Sequence, residues 1–117
     1  MTWQYESRTG EFRKGSVIKG KGYSGFGLGK NNPAMEDIQG MGPTPRGRYH
    51  IGPAYNDPQL GPIVMHLDPV GHDALGRTLF RIHGDNVTGD ASHGCIILPR
   101  TLRDEISKSE DKELWVV

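Results

Sequence analysis

The segment "RTLFRIHGDNVTGDASHGCIILP", residues 77–99, contains two predicted strands and the only cysteine of the chain, Cys95. In "RTLFRIHG", the side chains of Phe80 and Ile82 alternate with those of their neighbours at the period of a β-strand. The apolar run "GCIILP" predicts a second strand that begins beside the thiol. The segment thus predicts two strands joined by residues 84–92, with a histidine at the end of the first strand and a cysteine at the start of the second.

The remainder of the chain predicts more strands and one helix. "TWQYES" and "EFRKG" flank the turn "RTG" as an N-terminal β-hairpin, and further strands are predicted in "SVIKG", "RYHI", "GPIVMHLDP" and "KELWVV". The predicted helix is "PRTLRDEISKS", in which Pro99 suits the first turn and Leu102 and Ile106 share one face. We therefore expect residues 1–117 to form a single, mostly β domain, a sandwich or partly closed barrel with one short helix near the C-terminus.

The charge and cysteine content exclude several classes of protein. Lys and Arg number 14, as do Asp and Glu, so no basic field is available to attract nucleic acid or an anionic membrane surface. No segment is apolar enough over the length that crosses a membrane. A lone cysteine cannot form an internal disulfide. The N-terminal "MTWQYESRTGEF" lacks a basic stretch followed by an apolar run, so we expect no signal peptide and synthesis in the cytoplasm.

The residues around Cys95 leave three roles open: a small buried hydrophobe, a metal ligand or a reactive thiol. Thiol chemistry needs the thiolate, and the pKa of a free cysteine, about 8.5, leaves most of it protonated near neutrality. His83 and His93 are the imidazoles that could take the proton. His83 is favoured because it lies on a different strand and approaches from across the sheet. Gly94 lacks a Cβ, so the backbone N–H groups of the turn would stay open to a developing oxyanion.

Other side chains support further hypotheses. Five histidines and several aspartates could assemble a metal site, but neither an HExxH motif nor paired CxxC motifs occur, so no metal ligand and no cofactor is predicted. Arg46 and Arg77 could each clamp a substrate carboxylate with two parallel hydrogen bonds. The Gly-rich stretch "GYSGFGLGKNNP" predicts a flexible loop over one face that could act as a lid.

The motifs "IHG" and "SHGC", with the upstream "GPTPRGRYHIG", resemble the L,D-transpeptidase catalytic (YkuD-like) family. In that family a His-Gly pair is followed at some distance by Ser/Thr-His-Gly-Cys, and the upstream segment reads TPxGxY. The wider layout, from "GYSG" through "KNNP" and "GHDALGRTLFRIHGDN" to "ASHGCIIL", is most similar to the type VI secretion L,D-transpeptidase effectors, which are small antibacterial toxins. The resemblance extends over most of the chain, residues 1–98.

The resemblance implies a peptidoglycan substrate and a thioester acyl-enzyme. Cys95 is expected to attack the carbonyl of the third residue of a tetrapeptide stem and release the terminal D-Ala, with His83 as the base. Water then gives L,D-carboxypeptidase activity, a free D-amino acid gives exchange, and another stem gives a cross-link. The carbonyl of Gly84 is expected to orient the His83 ring. The amides of His93, Gly94 and Cys95 are expected to form the oxyanion hole.

The predicted substrate-binding residues are Ser92, Arg77, Arg46, Asp85 and Asn86. The chain departs from the family in two respects: the segment between His83 and Ser92 is short, and residues 97 and 98 are apolar where the family usually has Arg or Asn. The short segment implies a reduced lid and a more open site. Arg46 and Arg77 are the candidates to replace the missing polar contact.

The resemblance also implies partners and a place of action. The substrates would be peptidoglycan stem peptides and D-amino acids, and hydrolysis and exchange rank above cross-linking because either one starves cross-link formation. We expect delivery through a secretion-apparatus component, action in the periplasm of target bacteria, and a cognate immunity protein in the producer. Two alternatives stay open: a non-catalytic cell-wall-binding module of the same fold, and a metal-dependent peptidase.

Overall fold

The computed structural model describes residues 2–117, which form ten strands and one α-helix. The strands are β1 (Trp3–Tyr5), β2 (Glu11–Lys14), β3 (Val17–Lys21), β4 (Tyr23–Ser24), β5 (Gly47–Ile51), β6 (Tyr55–Asp57), β7 (Gly61–Val70), β8 (Arg81–His83), β9 (Ile96–Ile97) and β10 (Glu113–Val116). The helix is α1 (Arg100–Lys108), and short 3-10 turns lie at Gly27–Gly29, Pro33–Met35 and Ala74–Gly76. The prediction of a mostly β fold with one short helix near the C-terminus is confirmed.

The strands belong to one mixed sheet in the order β3-β2-β1-β10-β5-β7-β8-β9-β4, with β6 paired to β7 outside this path. β1 and β2 form the predicted antiparallel hairpin. The C-terminal strand β10 lies between β1, to which it is parallel, and β5, to which it is antiparallel. The two ends of the chain therefore meet in the middle of the sheet, and β10 joins the hairpin to the strands that carry the thiol.

The sheet curls but does not close into a barrel. Its end strands, β3 and β4, are separated in sequence only by Gly22. A Cβ at Gly22 would lie 1.8 Å from the carbonyl oxygen of Ile97 in β9, so this corner brings the two ends into backbone contact. Among residues 2–117, β3 and β4 do not pair with each other. The predicted sandwich or partly closed barrel is thus an open, strongly curved sheet.

Alternate residues of the central strands build the core. In β1, Trp3 and Tyr5 are fully buried, whereas Gln4 between them is partly exposed. The same alternation occurs in β5 and β10. Burial at every second residue is what a sheet with one covered face requires, because successive side chains of a strand point to opposite faces.

Helix α1 packs beside β7 and covers part of the core. Leu102 and Ile106, predicted to share one face, are both buried in the core cluster. Arg103 is buried beside them and donates from Nη1 to the carbonyl oxygen of Pro62 in β7, at 2.6 Å. Pro99, predicted in the first helical turn, lies one residue earlier, at the N-cap.

The strand predicted in "RTLFRIHG" is shorter than expected. Only Arg81–His83 pairs as β8, because Leu79 has a φ of +64°, a left-handed conformation that a strand cannot continue through. β4 and β6 have no counterpart in the sequence predictions, since strands of two or three residues are too short for an alternating pattern to be recognised.

The segment between β4 and β5, residues 25–46, folds against itself, and from here on it is called the Gly-rich stretch. Its residues Gln39 and Gly40 form one wall of the site described below. Phe26 donates from its amide to the carbonyl of Met41 at 2.8 Å, and Asn31 to that of Ser24 at 2.8 Å. Gly29 is buried, and a Cβ there would lie 2.1 Å from the Met41 carbonyl oxygen. Backbone hydrogen bonds and close backbone approaches therefore hold the segment predicted to be a lid.

Replacing Ile106 with alanine is expected to destabilise the fold by about 2–5 kcal/mol, because it removes three buried carbons and leaves a cavity under α1. Urea unfolding followed by circular dichroism measures the change. Thr101→Ala, at an exposed position of the same helix, is the matched control and is expected to stay within about 0.5 kcal/mol of the wild type. A loss below about 1 kcal/mol for Ile106→Ala would contradict the assignment of α1 to the core.

Candidate active site

Cys95 and His83 line the same cleft, which has a volume of about 270 Å³. The cleft lies between the ends of β8 and β9 and the Gly-rich stretch. Its other lining residues are Gln39, Gly40, Leu60, Arg77, Thr78, Leu79, Phe80, Arg81, Ala91, His93 and Gly94. The pairing of β8 with β9 therefore brings together the two residues that the sequence predicts as base and nucleophile.

The strand register places His83 and Cys95 on one face of the sheet. β8 and β9 are parallel and pair Ile82 with Ile96, both of which are fully buried in the core. Because side chains alternate along a strand, His83 and Cys95, which flank these two isoleucines, point to the opposite face. That face is the one on which the cleft opens.

The His83 ring is oriented by its neighbour. Its Nδ1 lies 2.9 Å from the carbonyl oxygen of Gly84, and a carbonyl accepts only, so Nδ1 carries the proton. Nε2 is then the unprotonated nitrogen of the neutral ring. The side chain is buried, and burial is the main reason that the pKa of His83 is lowered from its ordinary value. His83 is therefore neutral at neutral pH, with Nε2 able to accept a proton.

The surroundings of Cys95 favour its neutral thiol form. Its Sγ donates to the carbonyl oxygen of Leu79 at 3.7 Å. Burial raises the pKa of Cys95 above its ordinary value, and the backbone N–H and the positive charge of Arg81 offset part of that rise. The thiol does not form a resting ion pair with His83, so its activation requires proton transfer to a base.

A buried hydroxyl holds the Ser92–Cys95 turn from below. Ser92 is fully buried, and its Oγ donates to the carbonyl of Cys95 at 2.5 Å while it accepts from the amides of Gly25 at 2.9 Å and Gly94 at 3.2 Å. The side chain is not among those that line the cleft. Ser92 thus shapes the turn rather than contacting substrate, which corrects its predicted place among the binding residues.

The carbonyl of Gly94 is fixed by two further buried hydroxyls. Thr44 and Ser24 both donate to it, Ser24 at 3.3 Å, and the Thr44 amide donates to Ser24 Oγ at 2.8 Å. Gly94 itself has a φ of +143°, and a Cβ there would lie 2.7 Å from Nη2 of Arg77. Glycine is therefore required at this position both by the backbone conformation and by the space available.

Arg77 binds the backbone around the turn and is not free to clamp a substrate. Its side chain is buried, and its guanidinium donates to the carbonyls of Glu36 at 2.5 Å, Pro43 at 2.9 Å, Gly42 at 3.0 Å and His93 at 3.4 Å. It borders the cleft, but hydrogen bonds to carbonyls occupy four of its five N–H donors. The predicted role in carboxylate binding is corrected to one of holding the Gly-rich stretch against the turn.

Arg46 lies outside the cleft. Its exposed guanidinium makes two hydrogen bonds to the Glu36 carboxylate, both at 3.0 Å, and the pKa of Glu36 is lowered by this pairing despite partial burial. The predicted contact with substrate is therefore not supported by its position. Both arginines proposed to replace the family's missing polar residue are committed elsewhere.

Asp85 and Asn86 also lie outside the cleft that contains Cys95. Asp85 accepts from the hydroxyl of Tyr23 at 2.6 Å, and burial raises the pKa of that hydroxyl to about 12, so it remains a donor. Asn86 is exposed and makes hydrogen bonds with Asp90 within the loop between β8 and β9. These two predicted binding residues organise their own loop, because a chain that turns away after β8 carries them from the thiol.

His93 lies at the rim of the cleft. It is exposed, its Nδ1 lies 3.1 Å from the carbonyl oxygen of Gly40, and its ring packs 5.2 Å from that of Phe26. Of the three predicted oxyanion donors, the Gly94 amide is occupied by Ser92, whereas the amides of His93 and Cys95 make no hydrogen bond with another residue in 2–117. These two amides are the ones available to a ligand.

Arg81 is the cleft residue that the sequence predictions omit. It lies two residues before His83 in β8, so alternation places it on the same face, directly across from Cys95. Its buried Nε has no hydrogen-bond partner among the described residues, and its nearest carboxylate, that of Asp57, is 3.9 Å away. The spacing of "RIH" was the available signal for Arg81, a second cation of the cleft, whose guanidinium is also in contact with the Tyr55 side chain.

Two further chemical features can be stated for residues 2–117. No three side chains of His, Cys, Asp or Glu come close enough together to hold a metal ion. No helix there has the length and the hydropathy needed to span a bilayer.

Comparison with known proteins identifies one family. A sequence model described as the Tlde1 domain matches residues 18–113, a range that includes the whole cleft. The family consists of type VI secretion effectors, antibacterial toxins that act on the cell wall. Searches of curated proteins and of solved structures find no match to the chain.

Replacing Arg77 with glutamine is expected to destabilise the protein by about 3 kcal/mol, because several buried carbonyls lose their donor. Urea unfolding gives the value. Arg46→Gln removes only an exposed ion pair and is expected to cost less than about 1 kcal/mol. Equal effects of the two substitutions would show that Arg77 does not hold the turn.

The rate at which iodoacetamide alkylates Cys95 is expected to rise with pH. The midpoint of that rise is expected at a higher pH than for a free cysteine, because burial raises the pKa of Cys95. Arg81→Gln removes the positive charge that opposes this rise, so the variant is expected to react several-fold more slowly at pH 8. Arg48→Gln, an exposed arginine paired with Glu113, serves as the control and should react as the wild type does. An unchanged rate in Arg81→Gln would contradict the electrostatic contact.

Proposed function

Because the chain belongs to the Tlde1 domain family, we propose that it removes the terminal D-Ala from tetrapeptide stems of peptidoglycan, or exchanges it for another D-amino acid, with Cys95 as nucleophile. The observation that carries the proposal is the cleft shared by Cys95 and His83, in which Gly84 orients the base. The resemblance of "SHGC" to the L,D-transpeptidase motif supports the same chemistry.

In the acylation step, the Cys95 sulfur attacks the carbonyl carbon of the third stem residue while its proton passes to Nε2 of His83. A neutral His83 suits this task, since burial keeps its pKa low and Nδ1 is held by Gly84. Collapse of the tetrahedral intermediate breaks the bond to D-Ala, and the proton on Nε2 moves to the leaving amine. The product is a thioester on Cys95 and free D-Ala.

The oxyanion of the intermediate would be stabilised by the amides of His93 and Cys95. These N–H groups have no other partner in the described residues, whereas that of Gly94 donates to Ser92. Arg77, Ser24 and Thr44 hold the turn in place, so the donors are oriented before substrate binds. Preorganised amides stabilise the negative charge without having to reorient during the reaction.

Arg81 is the proposed anchor for the terminal carboxylate of the stem. It lies in the cleft across from Cys95, whereas Arg77 uses four of its N–H groups on backbone carbonyls and Arg46 lies outside the cleft, paired with Glu36. A guanidinium suits a carboxylate because its N–H groups form two parallel hydrogen bonds. Recognition of a free terminal carboxylate would direct the thiol to the bond that precedes the last residue, which is the bond a carboxypeptidase cleaves.

Deacylation is proposed to use water or a D-amino acid. Water would lose a proton to His83 and attack the thioester, and the sulfur would then leave with a proton returned by the imidazole. A D-amino acid would attack through its amine in the same position. Either reaction leaves a stem that no longer serves as a tetrapeptide donor, which is consistent with a toxin that weakens the wall.

The place of action and the partners are part of the same proposal, which membership of the family supports. We propose delivery by type VI secretion into the periplasm of target cells, contact with a component of the secretion apparatus, and inhibition by a cognate immunity protein. Delivery into the periplasm would bring the protein to the stems, which lie outside the target's cytoplasm.

One observation favours a different function, a wall-binding module without catalysis. The raised pKa of Cys95 is what an unactivated, partly buried thiol would also show. A protein of that kind would bind stems and leave them unchanged.

Incubation with disaccharide tetrapeptide and a free D-amino acid, followed by mass spectrometry, distinguishes these functions. We expect loss or replacement of the terminal D-Ala, and a decrease of at least about 1000-fold in Cys95→Ala and in His83→Gln. His50→Gln, at an exposed strand position, is the matched control and should keep full activity. Unchanged stems with the wild type, or full activity in either cleft variant, would overturn the proposed chemistry.

The pH dependence gives an independent measurement on the same protein. Because burial lowers the pKa of His83, the imidazole stays neutral below the ordinary histidine range near pH 6.5. The acid limb of kcat/KM should therefore lie below pH 6.5, and activity should fall as pH decreases through that lowered pKa.

A further inference from the structure

A second cavity, of about 590 Å³, lies beside β4 and β9 at the start of α1. Lys21, Lys30, Arg100 and Arg103 contribute positive charge to its wall, and Asp85 is the carboxylate there. Its floor includes Tyr23 and three apolar residues in and just after β9, Ile97, Leu98 and Pro99. We call it the basic cavity. Its volume is within the range of about 300–1,000 Å³ that is typical of sites for small ligands.

Much of this positive charge is not neutralised by the protein. Within residues 2–117, Lys21 and Arg100 have no ion-pair partner, and Lys30 lies over the Tyr23 ring at 4.1 Å and donates to a backbone carbonyl. The Asp85 carboxylate already accepts the Tyr23 hydroxyl. A cavity with this balance of charge favours an anion.

Arg103 is a buried side chain with one guanidinium nitrogen that lacks a partner, and this also favours an anion. It is 6% exposed, its Nε donates to the carbonyl of Leu98 at 3.1 Å, and its Nη1 donates to that of Pro62 at 2.6 Å. Its Nη2, which lies close to Gly84, makes no hydrogen bond with any described residue. A guanidinium held by two of its nitrogens, with the third unpartnered at a cavity, is suited to bind a carboxylate.

The start of α1 adds to the positive potential. No side chain caps the helix, and no acidic residue occupies its first turn, where Arg100 and Arg103 stand instead. The N-terminal end of a helix dipole is itself positive, so cations there are unfavourable unless an anion is present. The positive end of the helix and the two arginines therefore favour the same kind of ligand, an anion.

The basic cavity and the Cys95 cleft lie along the same face of the sheet. Ile97, which borders the basic cavity, follows Cys95 by two residues, so the two side chains point the same way and are separated by about 7 Å along the strand. His83 pairs with Ile97, and Ile97 pairs with Tyr23, so one row of residues connects the two sites. An extended peptide with its reacting carbonyl at Cys95 would reach the basic cavity within about two to three residues.

We propose that the basic cavity binds the carboxylates within the stem peptide whose carbonyl is attacked at Cys95, as distinct from the terminal carboxylate assigned to Arg81. This inference rests on the proposed function and adds a specificity site to it, because it makes acidic residues within the stem a requirement for binding. Lys21, Arg100 and Arg103 hold the carboxylates, and the apolar floor packs against the peptide chain.

The test is an NMR titration of the Cys95→Ala protein, which binds without turnover, with disaccharide tetrapeptide. We expect amide shifts at Tyr23 and at residues 97–103, and about 10-fold weaker binding in the double variant Lys21→Gln/Arg100→Gln. Arg48→Gln/Lys108→Gln, at two exposed positions outside both cavities, is the charge-matched control and should bind as tightly as the parent. The same muropeptide with its internal carboxylates amidated and its terminal carboxylate free should lose the shifts at residues 97–103.

Three results would overturn the inference: shifts confined to the Cys95 cleft, equal affinity of the double variant and the control, or undiminished shifts with the amidated muropeptide. None of them depends on catalysis. D-Ala release by the wild type is measured separately, so failure of the proposed chemistry is distinguishable from failure of the basic cavity. Circular dichroism of the variants confirms that each one is folded, which is expected because Lys21 and Arg100 are exposed.

Discussion

The hydrogen bonds from Arg77 to four backbone carbonyls are the constraint on which the site depends. They tie the end of the Gly-rich stretch, at residues 36–43, to His93 in the turn that precedes β9. Ser92 binds the same turn to Gly25 at the beginning of that stretch. These segments have no regular secondary structure to position them, so buried side-chain donors take the place of a strand ladder.

In this arrangement the cleft depends on backbone hydrogen-bonding groups, and not on a charged pair of side chains. Burial raises the pKa of Cys95 and lowers that of His83, so both groups are neutral at rest. The neutral pair avoids the cost of keeping two isolated charges out of water. In the proposed mechanism, it leaves His83 in the protonation state that a general base requires, and the open amides of the turn are the donors to the oxyanion.

The chain's own charges divide the sheet face into two environments. Near Cys95 the cleft contains Arg77 and Arg81, whereas four basic side chains and one carboxylate line the larger cavity beside β9 and the start of α1. The net charge of the chain is zero, so this asymmetry is invisible in the composition. It arises because acidic partners such as Glu36 and Glu105 pair with cations on other surfaces, Arg46 and Lys19.

Much of the fold and the chemical centre of the candidate site could be predicted from local patterns. The hairpin of β1 and β2, the helix with Leu102 and Ile106 inward, and β10 follow from alternation and helical spacing, which are properties of short segments. The placement of β10 between β1 and β5 could not be predicted, because it pairs residues from opposite ends of the chain. The partners and positions of Arg77, Arg46, Asp85 and Asn86 could not be predicted, since sequence proximity to "IHG" and "SHGC" does not say which partners a long polar side chain meets.

The sequence by itself determined the residue types that carry the chemistry: a single thiol, a glycine before it, and a histidine at the end of an upstream strand. It also determined, through strand alternation, that Arg81 shares a face with His83. Only the tertiary structure decided which arginine side chains bind the backbone, which backbone amides of the turn lack a partner, and where the basic cavity lies. The physical reason is that a motif records backbone conformation and reactive atoms, whereas hydrogen-bond saturation and local electrostatic potential are set by partners that are distant in sequence.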